Sequence, residues 1–223
     1  MNPLQEKIQQ NLQQIEQQLP NSCKLIVVSK YRTLEEIQAA YDCGQRIFAE
    51  NRVQALLERY EALPQDIQWH LIGHLQTNKV KYIAPFIAMI HSVDSVKLLQ
   101  TIQQEAAKNH RNIDVLIQLH VAEEETKFGM DIQEATEFFQ QFQPENFPNI
   151  RICGIMAMAS FTEDTNQIHR EFSSVESFFK QTAQIHSSKL SHFKELSIGM
   201  SGDFAIAIQH DSTYVRIGTR VFA

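Results

Sequence analysis

Short apolar runs alternate with stretches where apolar residues recur every three or four positions, along almost the whole chain. In the first twenty residues, "MNPLQEKIQQNLQQIEQQLP", Leu4, Ile8, Leu12, Ile15 and Leu19 follow helical spacing. They predict an amphipathic helix that packs on its own domain. "KLIVVS" then reads as a buried strand, and "TLEEIQAAYDC" as a helix ending at Gly44, a residue suited to follow a helix. The pattern repeats with strand "RIFAE" and helix "RVQALLERYEAL", then strand "IQWHLIG" and helix "LQTNKVKYIA", stopped by Pro64 and Pro85 respectively. Strand "IAMIHSV" leads to helix "SVKLLQTIQQEAAKN", with Asp94 placed to cap it. Strand "IDVLIQLHV" is followed by the acidic loop "AEEETKFGM" and a helix from about Ile132 to Gln141. Strand "IRICGIMAM" precedes a long helix within "EDTNQIHREFSSVESFFKQTAQIH". "ELSIG" and "DFAIAIQ" read as a strand and a short helix, and "TYVRIG" is the last strand, with only "TRVFA" beyond it.

Such alternation implies parallel strands joined by crossover helices, in an open doubly wound sheet or a closed (β/α)8 barrel. Eight strand-helix units in 223 residues favour an α/β fold of the second kind, a TIM-like barrel with an extra N-terminal helix. No G-x-G-x-x-G follows the first strand, which weakens a dinucleotide-binding reading. No linker interrupts the pattern, so residues 1–223 are expected to form a single domain, with residues 1–20 packed on the barrel.

Composition narrows the class. The chain has 43% apolar and 21% charged residues and a net charge of -6, which gives no reason to expect nucleic acid as a partner. No apolar run reaches the roughly 18 residues of a membrane span. Cys23, Cys43 and Cys153 are few, odd in number and widely spaced. They suit a reducing cytoplasm and read as small buried apolar residues.

Barrel chemistry sits at the C-terminal ends of the strands. Here those ends carry Lys30; Glu50 and Asn51; Gly73 and His74; His91 and Asp94; His120; Met156 and Met158; "GMSGD"; and "RIGT". The loops after strands seven and eight commonly hold a phosphate in such barrels. Their Ser201, Gly202, Gly218 and Thr219 offer hydroxyls and close backbone N–H approach. Each loop alone is ordinarily a turn; the pair together favours phosphate. Arg216 lies inside the apolar strand "YVRIG" and shares a face with Tyr214 and Gly218. It needs either a buried ion pair, with Glu50 or Asp203, or a ligand. Lys30 ends the run "LIVVSKYR". A lysine there ordinarily snorkels to water, but in a barrel mouth its amine becomes a nucleophile for a carbonyl. That carbonyl could belong to a sugar phosphate, as in an aldolase, or to pyridoxal phosphate. His70 and His74 are four apart but begin on a strand, and no H-E-x-x-H or G-x-S-x-G motif is present.

The stretches "VVSKYR", "ENRVQ", "WHLIGHLQTNK", "HSVDS", "TKFGM", "GIMAMA", "LSIGMSGDF" and "VRIGTRVF" run in order over nearly the whole chain beyond the first helix. In combination they closely resemble the pyridoxal phosphate homeostasis family, also called the proline-synthase co-transcribed family. This family looks like the barrel domain of alanine racemases standing alone. The resemblance implies that Lys30 carries pyridoxal 5′-phosphate as an aldimine and that Ser201, Gly218 and Thr219 hold its phosphate, with Met200 in the same loop. It places Arg216 beside the pyridine nitrogen, and Asn51 and His74 around the ring. Ile198, where Met is common, and the final Ala223 depart from the family pattern away from these positions.

In alanine racemases a second acid/base group comes from an added C-terminal domain of the partner subunit; this chain ends five residues after Gly218. Arg216, which only donates, also makes the ring a weaker electron sink. The expectation is therefore a cytoplasmic, monomeric, non-catalytic carrier acting in vitamin B6 and amino-acid balance, with pyridoxal phosphate-dependent apoenzymes as recipients. The alternatives are a slow enzyme such as a racemase, or a regulatory module that would bind partners through the first helix or the acidic "EEE" loop.

Overall fold

The computed structural model describes residues 2–122 and 128–223. The "EEE" of the acidic loop and the Thr126-Lys127 of "TKFGM" lie outside them. Among the described residues, eight parallel strands close into a barrel in chain order, and the last pairs with the first.

An N-terminal helix α1 (Pro3–Glu16) precedes the barrel. Then follow β1 (Lys24–Val28), α2 (Leu34–Asp42), β2 (Ile47–Glu50) and α3 (Val53–Ala62). The next units are β3 (Gln68–Leu71) with α4 (Val80–Ile83), and β4 (Met89–Val93) with α5 (Val96–Lys108). Then come β5 (Ile113–Leu119) with α6 (Ile132–Gln141), and β6 (Ile150–Ala157) with α7 (Thr165–Ile185). β7 (Glu195–Met200) with α8 (Phe204–Ala207) and β8 (Tyr214–Ile217) with α9 (Thr219–Phe222) complete the circuit.

The strand alternation sorts the core into two layers. Leu25, Val27, Phe48, Leu71, Ile90, Val115, Ile198 and Val215 belong to the main apolar cluster between sheet and helices. Ile26, Ala49, Met89, Leu116, Cys153, Met156 and Tyr214 form a smaller cluster filling the barrel's interior. On α1, Ile8, Leu12 and Ile15 are buried, as their spacing predicts.

Three local expectations are corrected. "LQTNKVKYIA" is not one helix but a 3-10 turn, Thr77–Lys79, running into the single turn of α4. Thr and Asn favour tight turns over helix interiors. Asp94 does not cap α5; Ser95 does, accepting from Leu98 N at 3.3 Å. "TRVFA", for which no element was predicted, is helical: Val221 and Phe222 bury themselves, and Asn11 Nδ2 of α1 donates to Val221 O at 3.0 Å. Cys23 and Cys153 are buried as expected, with their thiols pushed up by burial to about 11 and about 12, but Cys43 is only half-buried.

Candidate functional site

The first wall of the barrel mouth is the turn after β1. Buried Ser29 accepts Arg32 N on its carbonyl at 3.0 Å, and Tyr31 between them sits at φ 65°. Lys30 thus projects from a tight turn as an exposed side chain. Arg59 of α3 braces that turn, its Nη2 donating to Ser29 O at 3.2 Å and Arg32 O at 3.1 Å. Its Nε lies 2.9 Å from Glu50 Oε1, which also accepts Ser29 Oγ at 2.6 Å. Burial raises the Glu50 carboxyl, and the Ser29 bond and the Arg59 charge oppose it. Glu50 is therefore the partner of Arg59, not of Arg216 as one sequence alternative had it.

The second wall comes from the ends of β2, β3 and β4. Gly73 lets the β3 end press against Asn51: a Cβ there would stand 2.1 Å from Asn51 O. Ser92 Oγ donates to Gly73 O at 2.6 Å and fixes the same crossing. His74 Nδ1 lies 3.1 Å from Asp94 Oδ2, and its ring stacks on Phe128 with centroids 3.8 Å apart. Asp94, expected as a helix cap, instead orients a histidine.

The third wall joins the loops after β7 and β8. Met200 N donates to Asp203 Oδ1, which shapes the turn through Ser201 and Gly202. A Cβ on Gly218 would stand 2.9 Å from Val28 O, so the β8 end also approaches β1 closely. Arg216 is 3% exposed. Its Nη1 donates to Ser197 O at 2.6 Å and to Ser197 Oγ at 2.7 Å, and its Nη2 to Ala157 O at 3.0 Å. These acceptors are neutral. Burial lowers the guanidinium to about 10, with the charge of Asp203 opposing, so it remains a cation at neutral pH.

Lys30, Asn51, His74, Met200, Ser201, Arg216, Gly218 and Thr219 all line one cavity of about 400 Å³ at this mouth. Met158 joins them as its strand-end position implied. His91 and Met156, also strand-end residues, are buried beneath it. Tyr31, Arg32, Gln118 and Phe128 also line it, without having been singled out from sequence. Gln118 lies two residues on from Leu116 and so alternates into the barrel on the same face, a signal that was available. A larger groove of about 650 Å³ on the outer face, lined by Gln100, Gln103, Phe138 and Phe142 among others, has no ionisable side chain in its wall. The barrel mouth differs from that groove: its amine, buried cation, hydroxyls and glycine-flanked backbone suit an anionic carbonyl compound.

The family model for the alanine racemase N-terminal domain matches residues 5–223. The chain is 39% identical over 203 residues to the pyridoxal phosphate homeostasis protein of Aquifex aeolicus, covering 91% of this chain and 87% of that one. With the protein of the same name from Pasteurella multocida it shares 35% identity over 222 residues, covering 97% and 94%. The solved structure of PipY from Synechococcus elongatus with PLP bound aligns at TM-score 0.87 and 32% identity, over 97% of this chain and 100% of that one. Alanine racemase from Bartonella henselae, at 17% identity and TM-score 0.73 over 97% of this chain and 58% of that one, shares the fold.

Proposed function

The chain belongs to the alanine racemase N-terminal domain family and to the pyridoxal phosphate homeostasis proteins, and from that membership we propose that it binds pyridoxal 5′-phosphate and acts in vitamin B6 and amino-acid homeostasis. The observation that carries this reading is the single cavity uniting Lys30, Arg216 and the two glycine-hydroxyl loops.

The residues present fit that cofactor. The cavity falls in the usual size range for small-molecule sites. Arg216 spends three N–H bonds on its neutral seat and has donors left on a guanidinium that lines the cavity. At Gly218 a side chain would crowd Val28. When bound, the cofactor supplies an electrophilic aldehyde on an aromatic ring. Lys30 would offer the amine for that aldehyde, with water as the leaving group. Ser201, Thr219 and the backbone at Gly218 would hold the phosphate, with Met200 beside them in the cavity wall. Asn51 and His74 would border the ring, and Arg216 would donate toward its nitrogen.

Arg216 also argues for holding rather than turning over. A cationic donor disfavours a proton on the pyridine nitrogen and so weakens the ring as an electron sink. We read the protein as a non-catalytic carrier, residues 1–223 forming one binding domain. It would act as a cytoplasmic monomer that hands the cofactor to pyridoxal phosphate-dependent apoenzymes. Its free thiols agree with that compartment, and no helix among the described residues is long and apolar enough to cross a membrane.

A second reading, an enzyme such as an amino-acid racemase, draws on the His74–Asp94 pair, an oriented acid/base group in the cavity wall. Two measurements test both. Purified protein supplied with pyridoxal phosphate is expected to show a visible absorption band that borohydride fixes onto the Lys30 peptide; a colourless protein overturns the binding proposal. Steady amino-acid turnover by the loaded protein that disappears in Lys30→Ala replaces the carrier with the enzyme.

A further inference from the structure

Beneath the cavity floor a line of buried polar side chains runs into the barrel interior. Arg216 Nη1 reaches Ser197 Oγ at 2.7 Å. Ser197 Oγ lies 3.1 Å from His91 Nδ1, and His91 Nε2 lies 2.9 Å from His70 Nδ1. Ser197 and His91 are 0% exposed, and His70 and Arg216 are each 3% exposed. The Tyr214 ring borders both imidazoles, with centroids 5.9 Å from His70 and 6.1 Å from His91. Lys24 Nζ stands 5.5 Å from the Tyr214 ring.

The direction of the protons follows from one fact: an arginine can only donate. Ser197 Oγ therefore accepts from Arg216, and its own O–H is free to donate. Its next neighbour is His91 Nδ1, which then must be an unprotonated acceptor. The proton of His91 then sits on Nε2 and points at His70 Nδ1, which must also be an acceptor. The reverse arrangement would aim two donors at Ser197 Oγ and leave the serine proton without an acceptor in the line. In this order an imidazolium at His70 would set its Nδ1–H against His91 Nε2–H, and one at His91 would set its Nδ1–H against the Ser197 hydroxyl proton.

We propose that Ser197, His91 and His70 are positioning residues: a one-way hydrogen-bond chain that seats the Arg216 guanidinium in the cavity floor and holds both histidines as neutral Nε2–H tautomers. Burial works in the same sense. It pushes His70 down to about 3 and His91 well below the usual histidine range, with Lys24 and Arg216 adding repulsion at His70 and His91 respectively. The role toward the cofactor rests on the binding reading given above; the proton order does not.

Two arms test the proposal. Nitrogen-15 NMR of histidine-labelled protein at neutral pH reads the tautomers directly. Two buried neutral imidazoles, both protonated at Nε2, are expected, the signals assigned by their loss in His70→Phe and His91→Leu. An Nδ1–H tautomer or an imidazolium at either position overturns the chain. In the second arm, wild type, Ser197→Ala, His91→Leu and Ser197→Thr are titrated with pyridoxal phosphate, reading Kd and the visible band. Losing one bond to a charged donor's seat is expected to weaken binding about tenfold and move the band in the first two variants, with Ser197→Thr restoring both. Folded variants with unchanged Kd and band refute the positioning role. A wild type that binds no pyridoxal phosphate refutes the binding reading instead and leaves the tautomer arm to judge the chain; that arm also decides if the variants do not fold.

Discussion

Arg59 Nε stands 2.9 Å from Glu50 Oε1, and the same guanidinium holds the carbonyls of Ser29 and Arg32 on either side of Lys30. A buried ion pair on the outer side of β2 thus sets the shape of the turn that presents the amine. Replacing Glu50 by Leu leaves the arginine charge buried without its counter-ion. The expected loss is about 3–5 kcal/mol in urea unfolding at neutral pH. Lys30→Ala, at an exposed side chain, should change stability by less than about 0.5 kcal/mol.

The phosphate assignment predicts a graded effect. Ser201→Ala and Thr219→Val each remove a hydroxyl donor to a charged group, and each should raise the Kd for pyridoxal phosphate roughly tenfold. Fluorescence titration of the folded variants checks this. Unchanged affinity in both would move the phosphate elsewhere in the mouth.

Gly73→Ala should be among the costlier small substitutions in the chain. Its Cβ would stand 2.1 Å from Asn51 O, a backbone atom, so β2 and β3 must part. A loss of at least about 1–3 kcal/mol is expected in thermal unfolding. Because Asn51 moves with the strand, cofactor affinity should fall with it. A variant with wild-type melting temperature and affinity would contradict the crossing described here.

Acid should destabilise the barrel through its interior histidines. An unfolded histidine takes up its proton near 6.5, whereas folded His70 refuses it until about 3. Between those values the unfolded state binds more protons, so stability falls as pH drops through this window, and above it His70 contributes no slope. His91, also lowered, adds the same sign, while Glu50, raised by burial, acts in the opposite sense. His70→Gln should flatten the acid limb of a plot of unfolding free energy against pH.

Much of this was legible in sequence because it depends on local periodicity. Ile8, Leu12 and Ile15 announce α1, and the alternation in "YVRIG" puts Arg216 on one face with Tyr214. The rule that barrel chemistry sits at strand ends led to eight residues that line the cavity together, and also to Glu50, His91 and His120, which do not line it. What failed were assignments that depend on neighbours distant in the chain. Asp94 reads as a helix cap until His74, twenty positions earlier, is seen to claim it, and Glu50 reads as a partner for Arg216 until Arg59 of α3 turns inward. "TRVFA" is too short to signal a helix without α1 beside it.

By itself, then, the sequence determined the repeating strand-helix unit, the inward face of each strand and the set of strand-end side chains, because steric and hydrophobic preferences act over a few residues. Only the tertiary structure decided which charges meet. Closing the barrel brings Ser197, His91 and His70 into one hydrogen-bonded line below Arg216, from four strands and positions as far apart as 70 and 216. In a low-dielectric interior each buried donor must find an acceptor, and which one it finds is fixed by strand register across the whole barrel rather than by any neighbour in sequence.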